Sequence, residues 1–269
     1  MNEIRRVVLT LVWLTFIVFV GLAVSAVSVH TAETPNTKLD AVMESKILRV
    51  GTTGDYKPFS YLDPDTKTFE GIDIDMAKSL GAALGVEVEF VQTKWSDLLP
   101  DLLAGKYDIA MGGVSVSMER QKRALFTIPF MVDGKAAVAR CDDRSKYQTL
   151  ADIDRAGVKV VSNPGGTNEK FDRATLKHAT IEIYQDNKTI WQQILDGKAD
   201  LMITDASETR FWEKEHPGLC AVNPDRPFNY AEKAYLLPRD AVWKEFVDQW
   251  LHQAIESGEY PATLAKWVK

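Results

Sequence analysis

The sequence Ser-Asn-Pro-Gly-Gly-Thr-Asn-Glu-Lys-Phe occupies residues 162–171 and joins two different kinds of segment. A short apolar run at residues 158–161 precedes it and predicts a buried strand, and a polar segment of helical character follows it. Gly165 and Gly166 therefore lie in a strand-to-helix turn, where glycine lets the backbone approach a ligand closely. Because the first N–H groups of a helix have no internal partners, this turn is a candidate seat for an anion.

Two side chains of this turn carry chemistry, the hydroxyl group of Thr167 and the carboxyl group of Glu169. Ordinary turn punctuation and the helix dipole can account for both. A capping box cannot, because an N-cap at Thr167 or Asn168 needs its acid at Lys170 or Phe171 respectively. The pattern leaves Glu169 without a local structural role, so a ligand site and plain punctuation both stay open.

The composition is that of a globular protein without a metal or nucleic-acid signature. The chain has 269 residues, 45% hydrophobic, with a net charge of −6, which gives no basic footprint for nucleic acid. Its four histidines show no ligand spacing, so no metal site is predicted, and no motif indicates a cofactor. A few local cations still suffice to bind a small carboxylate, which is the kind of ligand we expect.

The N-terminus predicts export. Arg5 and Arg6 precede an apolar run at residues 7–29 that contains a small-x-small pattern at 24–26. We interpret residues 1–32 as a signal peptide for the periplasm, with an uncleaved membrane anchor as the alternative and this segment as the only membrane contact. In an exported protein the pair Cys141 and Cys220 favours a disulfide over two buried free thiols.

Strand and helix patterns alternate twice along the mature chain. Strand patterns at residues 47–51, 86–91 and 108–111 flank helix patterns at 71–84 and 98–103, and the alternation recurs between 135 and 229. This predicts an α/β fold of two lobes, each with a parallel, doubly wound sheet and with a ligand cleft between them. We expect residues 44–130 plus 234–269 to form lobe 1 and residues 135–229 to form lobe 2. Ligands of such sheets bind beyond the carboxyl ends of the strands.

A second anion anchor follows the strand at residues 108–111. Ser117 is a good N-cap, which puts Arg120 in the first helical turn, where a cation opposes the helix dipole. An arginine there makes more sense if its planar fork grips a bound carboxylate. The alternative is a solvated arginine among Glu119, Lys122 and Arg123.

The mature chain resembles a known family. The motifs that carry the resemblance are Leu-Arg-Val-Gly-Thr, Gly-Ile-Asp-Ile-Asp, Asp-Ile-Ala-Met-Gly-Gly-Val-Ser-Val-Ser and Phe-Thr-Ile-Pro-Phe. They are similar to those of the periplasmic amino-acid-binding proteins of ABC importers, which have the two-lobed type II periplasmic-binding-protein fold. The turn at 163–171, Asp-Gly-Lys-Ala-Asp-Leu-Met-x-Thr-Asp-Ala and Ala-Glu-Lys-Ala-Tyr-Leu-Leu-Pro-Arg-Asp more narrowly resemble the cyclohexadienyl dehydratases, exported enzymes on this fold. Both cysteines also lie where that enzyme family has them.

The resemblance implies a set of carboxylate contacts. Arg120 would clamp the ligand carboxylate together with Ser115 and the backbone of Gly113. Thr167 would close on it from the other lobe, with Asn163 lining the turn.

The resemblance also implies the remaining contacts of the ligand. Tyr56 and Trp95 would pack against its ring or chain, and Thr204 and Asp205 would line the cleft, with Asp205 taking an α-amino group. Many amino-acid binders have an acid where this chain has Thr53. The absence of that acid reduces the electrostatic repulsion of a dianion such as prephenate.

The implied activity is a dehydration with loss of carbon dioxide, from prephenate to phenylpyruvate and from arogenate to phenylalanine. Such a reaction needs an acid that protonates the leaving hydroxyl group, and we assign this to Glu169. The helix N-terminus lowers the pKa of that group while exclusion of water raises it, and the second effect must win. The competing interpretation is a non-catalytic receptor that delivers an amino acid to an importer. The sequence does not predict the oligomeric state.

Overall fold

A computed structural model describes residues 37–268. The predicted signal peptide at residues 1–32 lies outside the described residues. None of the helices between residues 37 and 268 combines the length and the apolar character needed to cross a membrane.

Two five-stranded mixed sheets organise the described chain. The first has the order β5-β1-β6-β15-β7, with β1 (Ile47–Thr52), β5 (Glu87–Gln92), β6 (Ile109–Ala110), β7 (Leu125–Phe126) and β15 (Leu236–Leu237). The second has the order β11-β10-β12-β9-β13, with β9 (Lys135–Arg140), β10 (Lys159–Ser162), β11 (Thr180–Ile183), β12 (Leu201–Asp205) and β13 (Leu219–Val222). In each sheet four strands run in the same direction and one, β15 or β9, runs antiparallel between two of them.

Two smaller sheets complete the strands. One consists of β2 (Asp55–Tyr56), β3 (Ser60–Leu62) and β4 (Phe69–Glu70), and the other of β8 (Met131–Asp133) and β14 (Ala231–Lys233). The β8–β14 pair is antiparallel and lies where the chain passes between the two large sheets. We call the part around the first large sheet lobe 1 and the part around the second lobe 2. The residue boundaries predicted for them stay a prediction.

Helices cover the sheets. They are α1 (Lys38–Ser45), α2 (Ile72–Leu84), α3 (Leu98–Leu103), α4 (Met118–Gln121), α5 (Leu150–Ile153), α6 (Thr167–Thr175), α7 (Ile190–Leu195), α8 (Ala206–Glu215), α9 (Ala241–Glu256) and α10 (Glu259–Trp267). The apolar stripe of α2 packs with Trp243 and Leu251 of α9 into one core of lobe 1, so the C-terminal helices complete that lobe. Separate clusters around Val160 and Ile194 form the core of lobe 2.

The sequence predicts most of these elements within one or two residues. It is wrong about one feature of the sheets, which are mixed rather than parallel throughout. Strand β9, the first strand of lobe 2 after the β8–β14 pair, pairs antiparallel with both β12 and β13. A chain that enters an α/β lobe from its neighbour approaches the sheet from the cleft edge, so its first strand runs against the others.

The predicted disulfide joins Cys141 and Cys220, with Cα atoms 4.8 Å apart, and the alternative of two free thiols is wrong. It links a short 3₁₀ helix after β9 to β13 across 79 residues of sequence. A cross-link over so long a loop restricts the unfolded chain and stabilises lobe 2.

Candidate active site

A cavity lies in the cleft where the carboxyl ends of strands from both lobes meet. It contains about 290 Å³ of empty space, part of which is open solvent. Its lining comprises Tyr56, Trp95, Gly113, Ser115, Asn163, Gly166, Thr167, Asn168, Asn187, Asp205 and Glu208.

The cavity brings most of the predicted site residues together. Seven of them line it, namely Tyr56, Trp95, Gly113, Ser115, Asn163, Thr167 and Asp205. Arg120 and Thr204 lie directly behind this lining, and Thr53 lines a neighbouring cavity with Trp95 and Asn163. Glu169 is not part of the lining. The contacts that these residues make with a ligand stay a prediction.

Arg120 is a buried cation with spare hydrogen-bond donors. Ser117 caps α4 as predicted, accepting from the Arg120 N–H at 3.2 Å, and the side chain of Arg120 is turned inward rather than solvated. Arg120 is only 9% exposed, and its Nη1 donates to the Ser115 carbonyl at 2.9 Å. Burial lowers its pKa, and the adjacent Glu119 carboxylate pairs with Lys170 instead. A buried guanidinium with a single backbone acceptor is well suited to a ligand carboxylate.

The backbone N–H and carbonyl groups of Gly113 both have partners within the protein. Its φ of +72° favours glycine, and a Cβ atom there would collide with the ring of Tyr56. Its N–H donates to the buried carboxylate of Asp73 at 2.6 Å, and its carbonyl accepts from Lys233 at 3.1 Å. Gly113 therefore shapes the cavity, and a ligand could use its N–H only after Asp73 had released it.

The strand-to-helix turn of lobe 2 adopts the predicted form. Gly165 has a φ of +79°, and Gly166 is the N-cap of α6. Gly166 and the first two helical residues, Thr167 and Asn168, border the cavity. The free N–H groups of this helix end thus lie at the cleft, as an anion seat requires.

The structure gives Glu169 a local role that the sequence analysis missed. Because the N-cap is Gly166, which has no side chain, Glu169 is the third helical residue and reaches back to accept from the Gly165 N–H at 2.7 Å. Its other oxygen accepts from Arg173 at 2.8 Å. These two contacts lower the pKa of Glu169. In this conformation the carboxyl group is ionised near neutral pH.

Two lysines and a tyrosine hydroxyl group donate hydrogen bonds to the carboxylate of Asp205. Its Oδ1 accepts from Lys135 Nζ at 2.6 Å, and its Oδ2 accepts from Lys233 Nζ at 2.7 Å and from the Tyr56 hydroxyl at 2.6 Å. Burial raises the pKa of Asp205, but the charges of Lys135 and Lys233 outweigh it and the net pKa lies below its usual range. The predicted contact with an α-amino group would therefore add a third cation to an occupied carboxylate.

Glu208 is a cavity residue that the sequence analysis missed. It lies in the first turn of α8, is 1% exposed, and hydrogen-bonds to Thr204 and, at 3.0 Å, to the indole N–H of Trp212. Burial raises its pKa to about 7, with the nearby charge of Asp205 acting in the same direction. An acid three residues after Asp205 was the available signal, since it lies on the first turn beyond a predicted strand end.

The sequence analysis also missed Asn168 and Asn187 of the lining and two lysines behind it. Lys135 begins the apolar strand β9 and Lys233 ends β14, and both are almost completely buried. A lysine within an apolar run was the available signal, because a buried cation needs a partner charge.

The fold and this cleft are those of bacterial solute receptors. The family model for bacterial extracellular solute-binding proteins, family 3, matches residues 48–269, and the chain belongs to this family. The chain is 51% identical over 233 residues to the cyclohexadienyl dehydratase of Pseudomonas aeruginosa, covering 87% of each sequence.

Two solved structures extend the comparison. An ancestral amino acid-binding protein, described as a precursor of cyclohexadienyl dehydratase, is 34% identical with a TM-score of 0.80, covering 87% of this chain and 100% of that one. An ancestral cyclohexadienyl dehydratase is 52% identical with a TM-score of 0.55, covering 86% and 96%.

Proposed function

We propose that this protein is a cyclohexadienyl dehydratase of the periplasm, a carbon–oxygen lyase acting on prephenate and L-arogenate. The observation that carries the proposal is the 51% identity to the Pseudomonas aeruginosa enzyme over 87% of both chains. The reaction with prephenate consumes one proton and yields phenylpyruvate, carbon dioxide and water. Aromatisation of the ring drives it, so the protein need only orient the substrate and protonate the leaving hydroxyl group.

The cleft chemistry supports a carboxylate substrate. The buried guanidinium of Arg120 lies behind Ser115 of the cavity lining, and the start of α6 borders the same cavity from the other lobe. In our proposal Arg120 holds one carboxylate and Thr167 closes on the substrate from lobe 2. Tyr56 and Trp95, whose rings meet edge to face at 5.7 Å, pack against the substrate ring.

Glu169 is the proposed general acid. Its contacts with Gly165 and Arg173 keep it ionised, so protonation requires that substrate binding and exclusion of water displace at least one of them. A substrate carboxylate nearby raises the pKa of Glu169 in the same direction. The side chain is held by one bond to a turn and one to an exposed arginine, and both can be exchanged without disturbing the core.

The test is turnover of prephenate at neutral pH, followed through the absorbance of phenylpyruvate in alkali. We expect wild-type protein to form product and Glu169→Gln to lose about 10²–10⁴-fold in kcat. Glu182→Gln is the matched control, because Glu182 lies on strand β11 and pairs with the exposed Lys159 at 3.7 Å. Full turnover by Glu169→Gln would refute the acid assignment while leaving the activity intact.

A second candidate function is a non-catalytic receptor for an amino acid. The likeness to the ancestral amino acid-binding protein favours it, with a TM-score of 0.80 at 34% identity. Tight equilibrium binding of an amino acid, with no product from prephenate or arogenate, would establish this function in place of the dehydratase.

A further inference from the structure

We propose that Lys135 and Lys233 are specificity-determining residues that neutralise Asp205, so that the cleft selects a 2-keto acid side chain over the corresponding 2-amino acid. This inference rests on the proposed function for its substrates, and it predicts a preference for prephenate over arogenate.

Three donors already occupy three of the roughly four lone-pair positions of the Asp205 carboxylate, which leaves one position on Oδ1 beside Lys135. Three donors reach its two oxygens at 2.6 to 2.7 Å, and the residue is 4% exposed. An incoming ammonium group would have to use that remaining position, next to the Lys135 ammonium group, or displace the Tyr56 hydroxyl or one of the lysines. A displaced lysine would remain buried, with its charge uncompensated.

The two lysines are held in place by further acceptors. Lys135 Nζ also donates to the Thr167 hydroxyl at 3.0 Å and to the Asn168 side chain. Lys233 Nζ also donates to the Gly113 carbonyl at 3.1 Å and lies 3.7 Å from Asp133. Each ammonium group thus has a complete set of partners, and the cluster is a fixed part of the cleft.

The charges around Asp205 oppose a third cation. An ammonium group at hydrogen-bond distance from Asp205 would lie within a few ångströms of both lysine ammonium groups, and like charges juxtaposed in a buried site repel each other and weaken binding. The carboxylate of Asp133 offsets part of the positive charge, but it binds the Gly134 and Ser207 N–H groups and does not line the cavity.

The same surroundings favour a keto oxygen. It carries no charge and only accepts hydrogen bonds, and the hydroxyl groups of Thr167 and Ser115 border the same cavity. Thr167 accepts from Lys135, which leaves its own hydroxyl hydrogen for an acceptor in the cleft. The second acid of the lining, Glu208, already accepts from Thr204 and from the Trp212 indole. A site rich in donors, in which Asp205 is neutralised by lysines and Glu208 is hydrogen-bonded, favours the acceptor over the ammonium group.

The experiment compares phenylpyruvate with L-phenylalanine, which differ only in the group on Cα, by isothermal titration calorimetry at neutral pH. We expect wild-type protein to bind the keto acid at least about tenfold more tightly. Lys135→Met removes one cation and should shift the ratio of the two dissociation constants about tenfold toward the amino acid. Asp205→Asn removes the anion and should shift it further toward the keto acid. Lys233→Met provides a second cation deletion if Lys135→Met fails to fold.

The control is Lys159→Met, the same substitution at an exposed lysine of β10, which should leave the ratio unchanged. A merely structural role of the lysines would weaken both ligands equally. An equal ratio in wild-type, Lys135→Met and Asp205→Asn proteins, or tighter binding of phenylalanine by the wild type, would overturn the inference. Binding needs no turnover, so a failure of the proposed dehydratase would appear separately, as keto-acid preference without product.

Discussion

At the scale of single residues, Arg120 is the clearest candidate for recognition, because nothing within residues 37–268 explains its burial as part of a salt bridge. Its guanidinium group donates one of its five N–H groups to the Ser115 carbonyl, and four N–H groups remain for a ligand. A buried cation placed in this way is stabilised when a ligand carboxylate arrives. The helix dipole at α4 argues against a cation there for stability alone.

We therefore expect Arg120→Met to weaken the binding of phenylpyruvate by about 100-fold, corresponding to about 3 kcal/mol for one desolvated charge pair. Arg123→Met is the matched control, since Arg123 lies three residues further on and is exposed. Titration calorimetry on both variants measures the effect. An affinity unchanged by Arg120→Met would mean that the carboxylate is held elsewhere, with the start of α6 as the remaining seat.

At the scale of elements, helix α6 combines a functional end with a buried charged face. Asp172 lies one turn after Glu169 and is completely buried. Burial raises its pKa to about 7, whereas the same group titrates near 4 in the unfolded chain. The folded protein thus retains a proton that the unfolded chain releases, and stability falls as the pH rises from about 4 to about 7.

Replacing Asp172 by asparagine should remove this part of the pH dependence. The raised pKa corresponds to at most about 4 kcal/mol, so Asp172→Asn should be more stable than wild type by a few kcal/mol at about pH 8 and nearly equal at about pH 4. Glu208 contributes a slope of the same sign in both proteins, so the difference between them isolates Asp172. Urea denaturation at the two pH values measures it. Parallel pH profiles for the two proteins would contradict the prediction.

Elements are also where the sequence predicts the structure best. The helix α3 has the predicted bounds, and α2 begins after Gly71 as its apolar stripe indicates, because both patterns depend only on local spacing. The prediction failed at Gly166, since an N-cap without a side chain leaves no signature and the acid at Glu169 was therefore given no structural task. Local patterns identify the elements, but they do not identify which backbone group a side chain reaches.

The prediction of the site was limited by the same dependence on local patterns, and to a greater extent. Tyr56, Trp95 and Asn163 were expected from the family resemblance, and they line the cavity. The neutralisation of Asp205 was not predicted, because Lys135 and Lys233 lie 70 and 28 residues away along the chain and meet it only through the joining strands. Contacts between distant segments depend on the lobe geometry, which one sequence does not contain.

At the scale of the whole molecule, hydrogen bonds cross the cleft and hold the lobes together around the cavity. Asn187 donates to the Asp55 carbonyl at 3.0 Å and Lys188 donates to the Leu62 carbonyl at 2.6 Å. Lys170 pairs with Glu119 at 2.6 Å, but both side chains are exposed, and such a pair contributes little. The Lys188 contact is half-buried, and its ammonium group also lies 4.9 Å from the centre of the Tyr61 ring. We therefore expect the Lys188 hydrogen bond to hold the lobes together more strongly than the Lys170–Glu119 pair does.

Loss of the Lys188–Leu62 hydrogen bond should reduce the fraction of molecules in which the lobes are closed. A charge-assisted hydrogen bond contributes about 1.5 kcal/mol, so Lys188→Met should weaken phenylpyruvate binding about tenfold although Lys188 does not line the cavity. Apparent affinity falls in proportion to the closed fraction, and the ligand-free radius of gyration in small-angle scattering should rise. Lys198→Met is the matched control, because Lys198 pairs with Asp196 within lobe 2. If affinity and radius both match those of the control, the lobes are held closed by the buried bond between Tyr56 and Asp205, and the mouth contacts follow closure rather than stabilise it.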